Sequence, residues 1–368
     1  MGGILTQADV QRLITSPSSD VRAATAIKVS QAFNTVGLSD KERDLAKQIL
    51  RVMAKDAEAM VRGALASHLK ASSELPRDVA IALARDIESV SLPVLEFSKV
   101  LSDADLIEIV RTASAEKQQA VAQRETVSSE LANALIDHSK NAAVVAALMR
   151  NQGADLGEAE YKKALDKHGE DIGVTNAVLG RGQLPITIAE RLVNMASERL
   201  RDFLVDQRDL SSEMAADLVI QARERATVSL LPSGMNSTDV VELVKQLRDN
   251  RRLTPSLILR TLCTGDIAFF EASLAVLSNT AIVNARLLIH DEGRLGLKTI
   301  YAHTSLPQNL YPAFRVAFDV AREADYDGGD EDRRRFAAKV IERILTQFED
   351  LAAEDLDYLL SKLNQLAA

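Results

Sequence analysis

Aromatic residues are scarce in this chain. They make up 4 % of its 368 residues, and tryptophan is absent. Strands draw on β-branched and aromatic residues, whereas small and aliphatic side chains favour helices. Glycine and proline, which interrupt helices, number only 16 and 8, while the hydrophobic fraction of 46 % is enough to bury a core. We therefore expect an all-α fold.

Cysteines and long hydrophobic runs are lacking as well. The single cysteine, Cys263, excludes an internal disulfide and is typical of a reducing compartment. No stretch approaches the roughly 20 apolar residues that a helix needs to cross a bilayer. The N-terminus also lacks the charged and apolar segments of a secretion signal. These absences predict a soluble cytoplasmic protein without membrane insertion.

Positive charge is in deficit, with a formal net charge of −9. A nonspecific attraction to nucleic acid or anionic lipid is therefore not expected from the whole molecule. Between residues 181 and 225 basic and acidic residues are nearly equal in number, and few aromatic side chains are available to stack on bases. Nucleic-acid binding is disfavoured.

One stretch of the sequence occurs twice. Residues 75–110 return in altered form as residues 184–219, with Leu-Pro at the start of each copy and Leu-Ser further on. Each copy predicts short helices joined by tight turns. A second recurrence, with a period of about 40 residues, aligns Val21 and Arg22 with Val61 and Arg62. Recurrence at this spacing predicts helix pairs stacked into a repeat array.

Local signals mark where many of these helices begin. A serine followed three residues later by an acidic residue forms a capping box, in which each side chain binds the other residue's backbone N–H. Such boxes occur at Ser39 with Glu42 and at Ser102 with Asp105, and Gly157 with Glu160 has the same spacing. Ser128 and Ser211 are further predicted helix starts.

Two breaks in the apolar pattern predict the domain organisation. Pro, Ser, Gly and Asn cluster over residues 231–237, and an acidic, glycine-containing run covers 325–332. We expect a helical-repeat domain over residues 1–230, a helical domain over 238–325 and a two-helix hairpin over 331–368. The hairpin has two apolar stripes, which predict packing on the preceding domain or on a second copy in a homodimer: Phe336, Val340, Ile344 and Phe348, then Leu356, Leu359, Leu360 and Leu363.

Two resemblances extend this interpretation. The recurring Asp/Val-Arg/Ala-Ala pattern resembles HEAT repeats, which implies a right-handed α-solenoid of short helix pairs. The segments LARDIESVSLPVLEFSKVLSDADLIEIV and LTPSLILRTLCTGDIAFFEASLAVLSNTAIVNARLLIHDEGRLGLKTIYAHTSLP resemble an uncharacterised bacterial family of helical-repeat proteins, a domain of unknown function. That likeness covers roughly residues 20 to 320. It implies a bacterial cytoplasmic setting and brings no activity, cofactor or catalytic residue.

No constellation of residues indicates catalysis. The five histidines are scattered without metal-ligand spacing, and His290 is interpreted as closing a helix. Cys263 lies in an apolar helix, where an inert buried thiol is expected. The acidic run 325–332 lacks the spacing of a calcium loop. We expect no catalytic residue, metal or cofactor, and therefore no enzyme.

Arg260 is the one residue that suggests a ligand. It pairs internally with Asp266 or presents its guanidinium to a small anion, and the internal role is favoured. Its neighbours have structural roles, since Thr254 and Asp266 can cap helices, Pro255 suits a first helical position and Gly265 can end a helix.

The leading hypothesis is therefore a non-catalytic protein-interaction scaffold or adaptor in bacterial regulation, whose protein partners are unknown. The alternatives are a sensor that binds a small anionic molecule near Arg260 and, less favoured, a HEAT-like protein that binds nucleic acid.

Overall fold

The computed structural model describes residues 16–34, 38–182, 184–208, 211–229, 237–291 and 295–323, together with Ala338, Lys339, Glu342, Arg343 and Thr346. This part of the chain is helical and contains no strand, which confirms the all-α prediction. A single isolated bridge pairs Val127 with Ala154. The expected terminal hairpin over 331–368 lies almost wholly outside the described residues, as does the acidic run 325–332.

The chain divides into two compact units, Met1–Pro185 (unit 1) and Ile186–Ala368 (unit 2). The domain boundary expected near residue 230 falls inside unit 2, where residues 230–236 are not described. That boundary stays a prediction.

Unit 1 consists of short helices. In chain order they are Ser19–Phe33 (α1), Asp40–Met53 (α2), Ala59–Leu69 (α3), Arg77–Ala84 (α4), Glu88–Phe97 (α5), Asp103–Val110 (α6), Ala115–Ala122 (α7), Ser129–His138 (α8), Ala142–Arg150 (α9), Glu158–His168 (α10) and Ile172–Leu179 (α11).

Helices of unit 1 pack on the helix two positions away. The odd-numbered helices contact one another in sequence from α1 to α11, and we call them the odd row. The even-numbered helices form the even row, with contacts from α2 to α4 and from α6 through α8 to α10. Fully buried small residues such as Ala26, Ala66 and Ala80 lie between the helices and let their backbones approach closely.

The helix starts expected in unit 1 are confirmed by their hydrogen bonds. Ser39 and Ser102 form complete capping boxes at α2 and α6. The Glu160 carboxylate accepts from the Gly157 N–H at 2.9 Å, and Ser128 Oγ accepts from the Leu131 N–H at 3.2 Å. These signals act over three residues, so they hold whatever the tertiary context.

Unit 2 begins with two long helices and continues with shorter ones. They are Ile186–Arg208 (α12), Ser212–Ser229 (α13), Ser237–Asp249 (α14), Pro255–Leu262 (α15), Ile267–Leu277 (α16), Ile282–Ile289 (α17), Leu295–Ala302 (α18) and Tyr311–Glu323 (α19), the last preceded by a 3₁₀ turn at Gln308–Leu310. The core of unit 2 gathers several of the few aromatic side chains. Phe270 lies 5.9 Å from Phe314 and 5.7 Å from Phe318 between ring centroids.

The two copies of the recurring stretch fold differently. The first copy forms separate helices that break around Asp86, whose carboxylate accepts from the Ile87 N–H at 2.7 Å. In the second copy the positions that correspond to this break lie inside α12, where Met195 takes the place of Asp86. Asp202 takes the place of Pro93, which lies inside α5 without ending it. The expectation of short helices is wrong for this copy.

Helices α14, α15 and α16 end on residues in the left-handed region. These residues are Arg251 (φ 56°), Gly265 (φ 82°) and Asn279 (φ 52°). The next N–H donates to a carbonyl in the last turn, as from Arg252 to Leu247 at 2.7 Å. Gly265 fulfils the role expected from the sequence. Arg251 adopts a conformation that an L side chain disfavours.

No single helix in the described segments combines the length and apolar composition that a membrane crossing requires. Only α16 and α17 taken together reach that length and composition, and they are bent by 115° at the break between them.

Candidate functional site

Arg260, the residue suspected of binding a ligand, lies buried in unit 2 with 7 % exposure. Its Nε lies 3.8 Å from Oε2 of Glu224 on α13. Burial lowers the pKa of Arg260, and the Glu224 carboxylate opposes that effect. Asp266 is not its ion-pair partner, because that carboxylate caps α16 by accepting from the Phe269 N–H at 2.9 Å. Arg260 thus has an internal carboxylate neighbour, but the partner expected from the sequence is wrong, and the choice between an internal role and anion binding stays a prediction.

Glu224 also joins α13 to the start of α15. Its two oxygens accept from Thr254 Oγ1 at 2.6 Å and from Ser256 Oγ at 2.8 Å. Thr254 Oγ1 in turn accepts from the Leu257 N–H at 3.0 Å and so caps α15 as expected. Each oxygen of the carboxylate therefore accepts a hydroxyl hydrogen bond from the protein, and the cluster links two helices.

A second buried ion pair joins Glu190 on α12 to Arg252 in the turn after α14. Glu190 is completely buried and Arg252 is 8 % exposed. Gln246 Nε2 donates to Glu190 Oε2 and to the Thr187 carbonyl, both at 3.0 Å. Burial raises the pKa of Glu190, against the opposing effect of Arg252. Sequence analysis missed this pair because its members are far apart in the chain and no local pattern relates them.

Glu271 on α16 brings a histidine and an arginine together. Its carboxylate contacts His290 Nε2 at 2.6 Å and Arg286 Nε at 2.7 Å. Arg286 also donates to Ser237 Oγ at 3.1 Å, and the His290 ring meets Phe318 edge-on at 5.4 Å. His290 occupies the C-cap of α17, as expected. The group connects α14, α16 and α17.

Unit 2 contains a cleft of about 510 Å³ next to α19. Arg315 pairs with Asp319 at 3.0 Å, and Arg343 pairs with Glu323. Arg322 lies over the Phe318 ring. Both signs of charge line the cleft in pairs, so it does not present a field of one sign to a ligand.

Unit 1 contains a cleft of about 590 Å³ at the C-terminal ends of α1 and α3. Asn34 Nδ2 donates to the His68 carbonyl at 3.0 Å, and Arg43 pairs with Glu74 at 3.4 Å across the cleft. Lys70 Nζ sits 4.1 Å from the Phe97 ring centroid. As in the cleft of unit 2, polar groups that line this cleft contact one another.

Among the described residues, no group of three or more His, Cys, Asp or Glu side chains could hold a metal ion. Cys263 is buried, as expected, and burial raises the pKa of its thiol to about 12. A thiol with that pKa remains protonated and unreactive near neutral pH.

The two rows of unit 1 expose different chemistry. The even row is densely charged, and many of its charges pair with each other, as in Arg51–Asp78 (2.7 Å) and Lys163–Asp137 (2.6 Å). The middle of the odd row presents small, apolar or uncharged residues that are exposed or half-exposed: Ala24, Ile27, Gly63, Ala64, Ser67, Ser89, Leu92, Pro93, Gln119, Ala143 and Asn176. Charged residues also lie exposed or half-exposed on the odd-row helices, among them Asp20, Lys28, Glu88, Glu96, Glu116, Lys117 and Arg150. We call this surface the odd-row face.

Forked arginines hold successive odd-row helices together. Arg22 binds Asp56 through Nε at 2.7 Å and Nη2 at 3.0 Å. Arg62 repeats the arrangement with Asp86, and its Nη1 donates to the Asp56 carbonyl at 2.7 Å. We call these two pairs the arginine ladder. The sequence showed Arg22 and Arg62 recurring, but it did not reveal their carboxylate partners.

Backbone carbonyls replace the carboxylates further along the odd row. Arg124 donates to the carbonyls of Leu95 and Ser98 at 2.6 and 2.7 Å. Arg181 donates to the carbonyls of Asn151 and Ala154 at 2.5 and 3.1 Å. Each arginine satisfies carbonyls near the C-terminal end of an earlier odd-row helix, which have no partner inside the helix.

The family described as an uncharacterised protein conserved in bacteria (DUF2336) matches residues 90–354, more than half of the chain. The chain belongs to this family. The membership expected from the two sequence segments is thereby confirmed, whereas the HEAT resemblance stays a prediction. No curated protein and no solved structure matches the chain at a significant level.

Proposed function

We propose that this DUF2336 protein is a non-catalytic protein-interaction scaffold of the bacterial cytoplasm that binds a partner protein on the odd-row face. In this proposal unit 1 is a HEAT-like, right-handed α-solenoid, and the odd row lines its binding surface.

The packing of unit 1 supports the solenoid. Contacts between helices two positions apart are typical of stacked helix pairs, in which each pair contacts its neighbours in the stack. The arginine ladder adds a charge-assisted, bidentate link between successive odd-row helices. Such links fix the relative positions of neighbouring helices, and a scaffold needs a preformed surface because ordering on binding lowers affinity.

The odd-row face is the observation that carries the proposal. Covering charged side chains costs desolvation energy, whereas small and apolar residues give close contact at little cost. The even row is less suited to close contact with a partner, because many of its charges are paired with each other and exposed to water. A partner segment rich in aliphatic and uncharged polar side chains fits the odd-row face best.

Charge-introducing variants in the native host test the proposal. Met60 and Ile172 lie on the odd row with 48 % and 65 % exposure. Both occupy the first turn of a helix, where a carboxylate is well tolerated. The matched controls on the even row are Leu45 and Val52, with 51 % and 66 % exposure.

The Met60→Glu/Ile172→Glu variant is expected to lose specific partners in quantitative affinity purification after cross-linking. The Leu45→Glu/Val52→Glu variant is expected to retain them, and circular dichroism checks the fold of both. Equal partner profiles for the two variants, or no partner above background for the wild type, would contradict the proposal.

The anion-sensor alternative has weaker support. Arg260 is paired with Glu224, and that carboxylate also accepts two hydroxyl hydrogen bonds. An anion would have to displace a buried partner from Arg260, which is costly. Thermal-shift screening with nucleotides and other metabolites tests it, and stabilisation that disappears in Arg260→Lys would favour the sensor over the scaffold.

A further inference from the structure

Unit 2 exposes an apolar surface on the hairpin formed by α12 and α13. Four large side chains there are about half exposed, namely Leu200 (44 %), Phe203 (50 %), Met214 (63 %) and Leu218 (53 %). From residue 198 to residue 206, α12 has no buried residue, and among the described side chains in the first half of α13 only Ala215 and Val219 are buried. This end of the hairpin therefore packs largely on itself.

The exposed apolar residues follow a heptad pattern. Along α12, Ala189, Val193, Ala196, Leu200 and Phe203 are separated by alternating steps of four and three residues. Met214 and Leu218 continue a stripe with a four-residue step on α13. Alternating steps of three and four are the spacing at which one helix packs against another in a coiled coil or helical bundle. In the first half of this pattern the side chains are half-buried, and at Leu200 and Phe203 they are open to solvent.

Both stripes lie on the same side of the hairpin. Ser197 on α12 and Ala215 and Val219 on α13 are buried and mark the faces through which the two helices contact each other. At 100° per residue, Leu200 and Phe203 on α12 project to the same side of this contact as Met214 and Leu218 on α13. The hydrogen bond from Arg223 to Asn194 at 3.3 Å joins the helices on the other side. We call the four exposed side chains together the hairpin stripe.

We propose that the hairpin stripe binds the hairpin stripe of a second copy of this chain, so that two hairpins form a four-helix bundle. The inference is independent of the odd-row face, which belongs to unit 1. It also places self-association on a different element from residues 331–368.

Three features favour a second copy as the occupant. The stripe spans two antiparallel helices, so the same patch on two copies can meet in a twofold-symmetric interface, with both helices of one hairpin facing the other hairpin. Glu198, Arg199, Arg201 and Asp202 flank it with both signs of charge, with Arg201 paired to Asp202 at 3.0 Å, so the rims of two copies do not meet as like charges. The four half-exposed side chains offer roughly 400–500 Å² per copy, or roughly 800–1,000 Å² for two copies, which approaches the lower limit of about 1,000 Å² for a biological interface.

Sedimentation equilibrium of the full chain over nanomolar to tens-of-micromolar concentrations tests this inference. The wild type is expected to form dimers. Phe203→Glu and Leu218→Glu each place two carboxylates in a dimer interface and are expected to weaken association at least about a hundredfold. Ile220→Glu is the matched control, because Ile220 is 39 % exposed on the same helix but projects away from the stripe.

Each possible result of these measurements either supports or contradicts dimerisation through the hairpin stripe. A monomeric wild type at all concentrations would overturn the inference. A dimer that survives both Phe203→Glu and Leu218→Glu is held by another surface and would overturn it equally. Equal weakening by Ile220→Glu would mean that the stripe is not the interface. Far-UV circular dichroism of each variant checks that the helices remain folded. If a glutamate variant does not fold, Leu218→Ala and Phe203→Ala, which favour the helix, replace it in the test.

Discussion

Replacing Arg62 by alanine tests the arginine ladder most sharply. Arg62 and Asp86 are only 16 % and 11 % exposed as side chains. The guanidinium binds both carboxylate oxygens and also donates to the carbonyls of Asp56 and Ala57 at 2.7 and 3.1 Å. Arg62→Ala therefore removes the charged partner of the Asp86 carboxylate, which keeps the hydrogen bond from the Ile87 N–H, and it removes the arginine's hydrogen bonds to two carbonyls.

The expected loss follows from these contacts. A hydrogen bond to a charged group contributes about 1.5–3 kcal/mol, and breaking a buried ion pair costs about 3–5 kcal/mol. Because the pair keeps some contact with solvent, we expect a loss of about 2–3 kcal/mol in the free energy of unfolding. For a unit of this size that corresponds to a melting temperature roughly 5–10 °C lower.

Far-UV circular dichroism during urea and thermal unfolding measures the effect, since the chain is helical and has no tryptophan. Arg51→Ala is the matched control. Arg51 also forks onto an aspartate, Asp78, but the two side chains are 46 % and 58 % exposed. Its removal is expected to leave stability unchanged within the error of the measurement. Equal losses in the two variants would refute the reasoning.

Acid titration gives a second readout of the same contact. The hydrogen bonds from Arg62 are the main cause that lowers the pKa of Asp86 below its usual value. A carboxylate with a lowered pKa stabilises the fold above its ordinary pKa, and that contribution is lost as the pH falls through the lowered value. The stability difference between the wild type and Arg62→Ala should therefore shrink in acid. A constant difference from pH 7 down to pH 2 would contradict this.

Further outcomes follow from other contacts. Arg251→Gly should stabilise the chain by up to about 1 kcal/mol in urea unfolding, and Asn279→Gly by less, because asparagine tolerates positive φ better; destabilisation by both would contradict this. Glu190→Gln should cost about 3 kcal/mol by leaving a buried arginine unpaired, and unchanged stability would refute it. Cys263 should react with a thiol reagent only on unfolding, which labelling with and without urea measures. The pKa of Asp105 is about 2, so its carboxylate should still stabilise the fold at pH 4 and should lose this contribution as the pH falls through 2. Unfolding of Asp105→Asn and of the wild type at both pH values measures the difference in stability, which should disappear at the lower pH.

Local signals in the sequence predicted much of the secondary structure. The capping residues at Ser39, Ser102 and Thr254 act on backbone groups within three residues, so their effect does not depend on the rest of the fold. Gly265 was predictable for the same reason. The all-helical class followed from composition, because aromatic residues, which favour strands, are scarce and the helix breakers glycine and proline are few.

Contacts between residues far apart in the chain could not be predicted from the sequence. Arg260 was expected to pair with Asp266, which is close in sequence, but Glu224 reaches it from another helix. The unbroken helix α12 was not expected, because the similarity of the two copies suggested that both would break at the same positions. The odd-row face became visible only when alternate helices were placed side by side, because its residues are spread through unit 1.

The central claim is that a protein partner binds the odd-row face. Site-specific photo-cross-linking in the bacterial host tests it most directly, with a photoreactive amino acid at Met60 or Ser67 on the odd row and at Leu45 or Gln48 on the even row. All four positions are exposed. The account predicts that the same partner protein is captured from the odd-row positions and not from the even-row positions. Capture only from the even row, or from neither row, would contradict it.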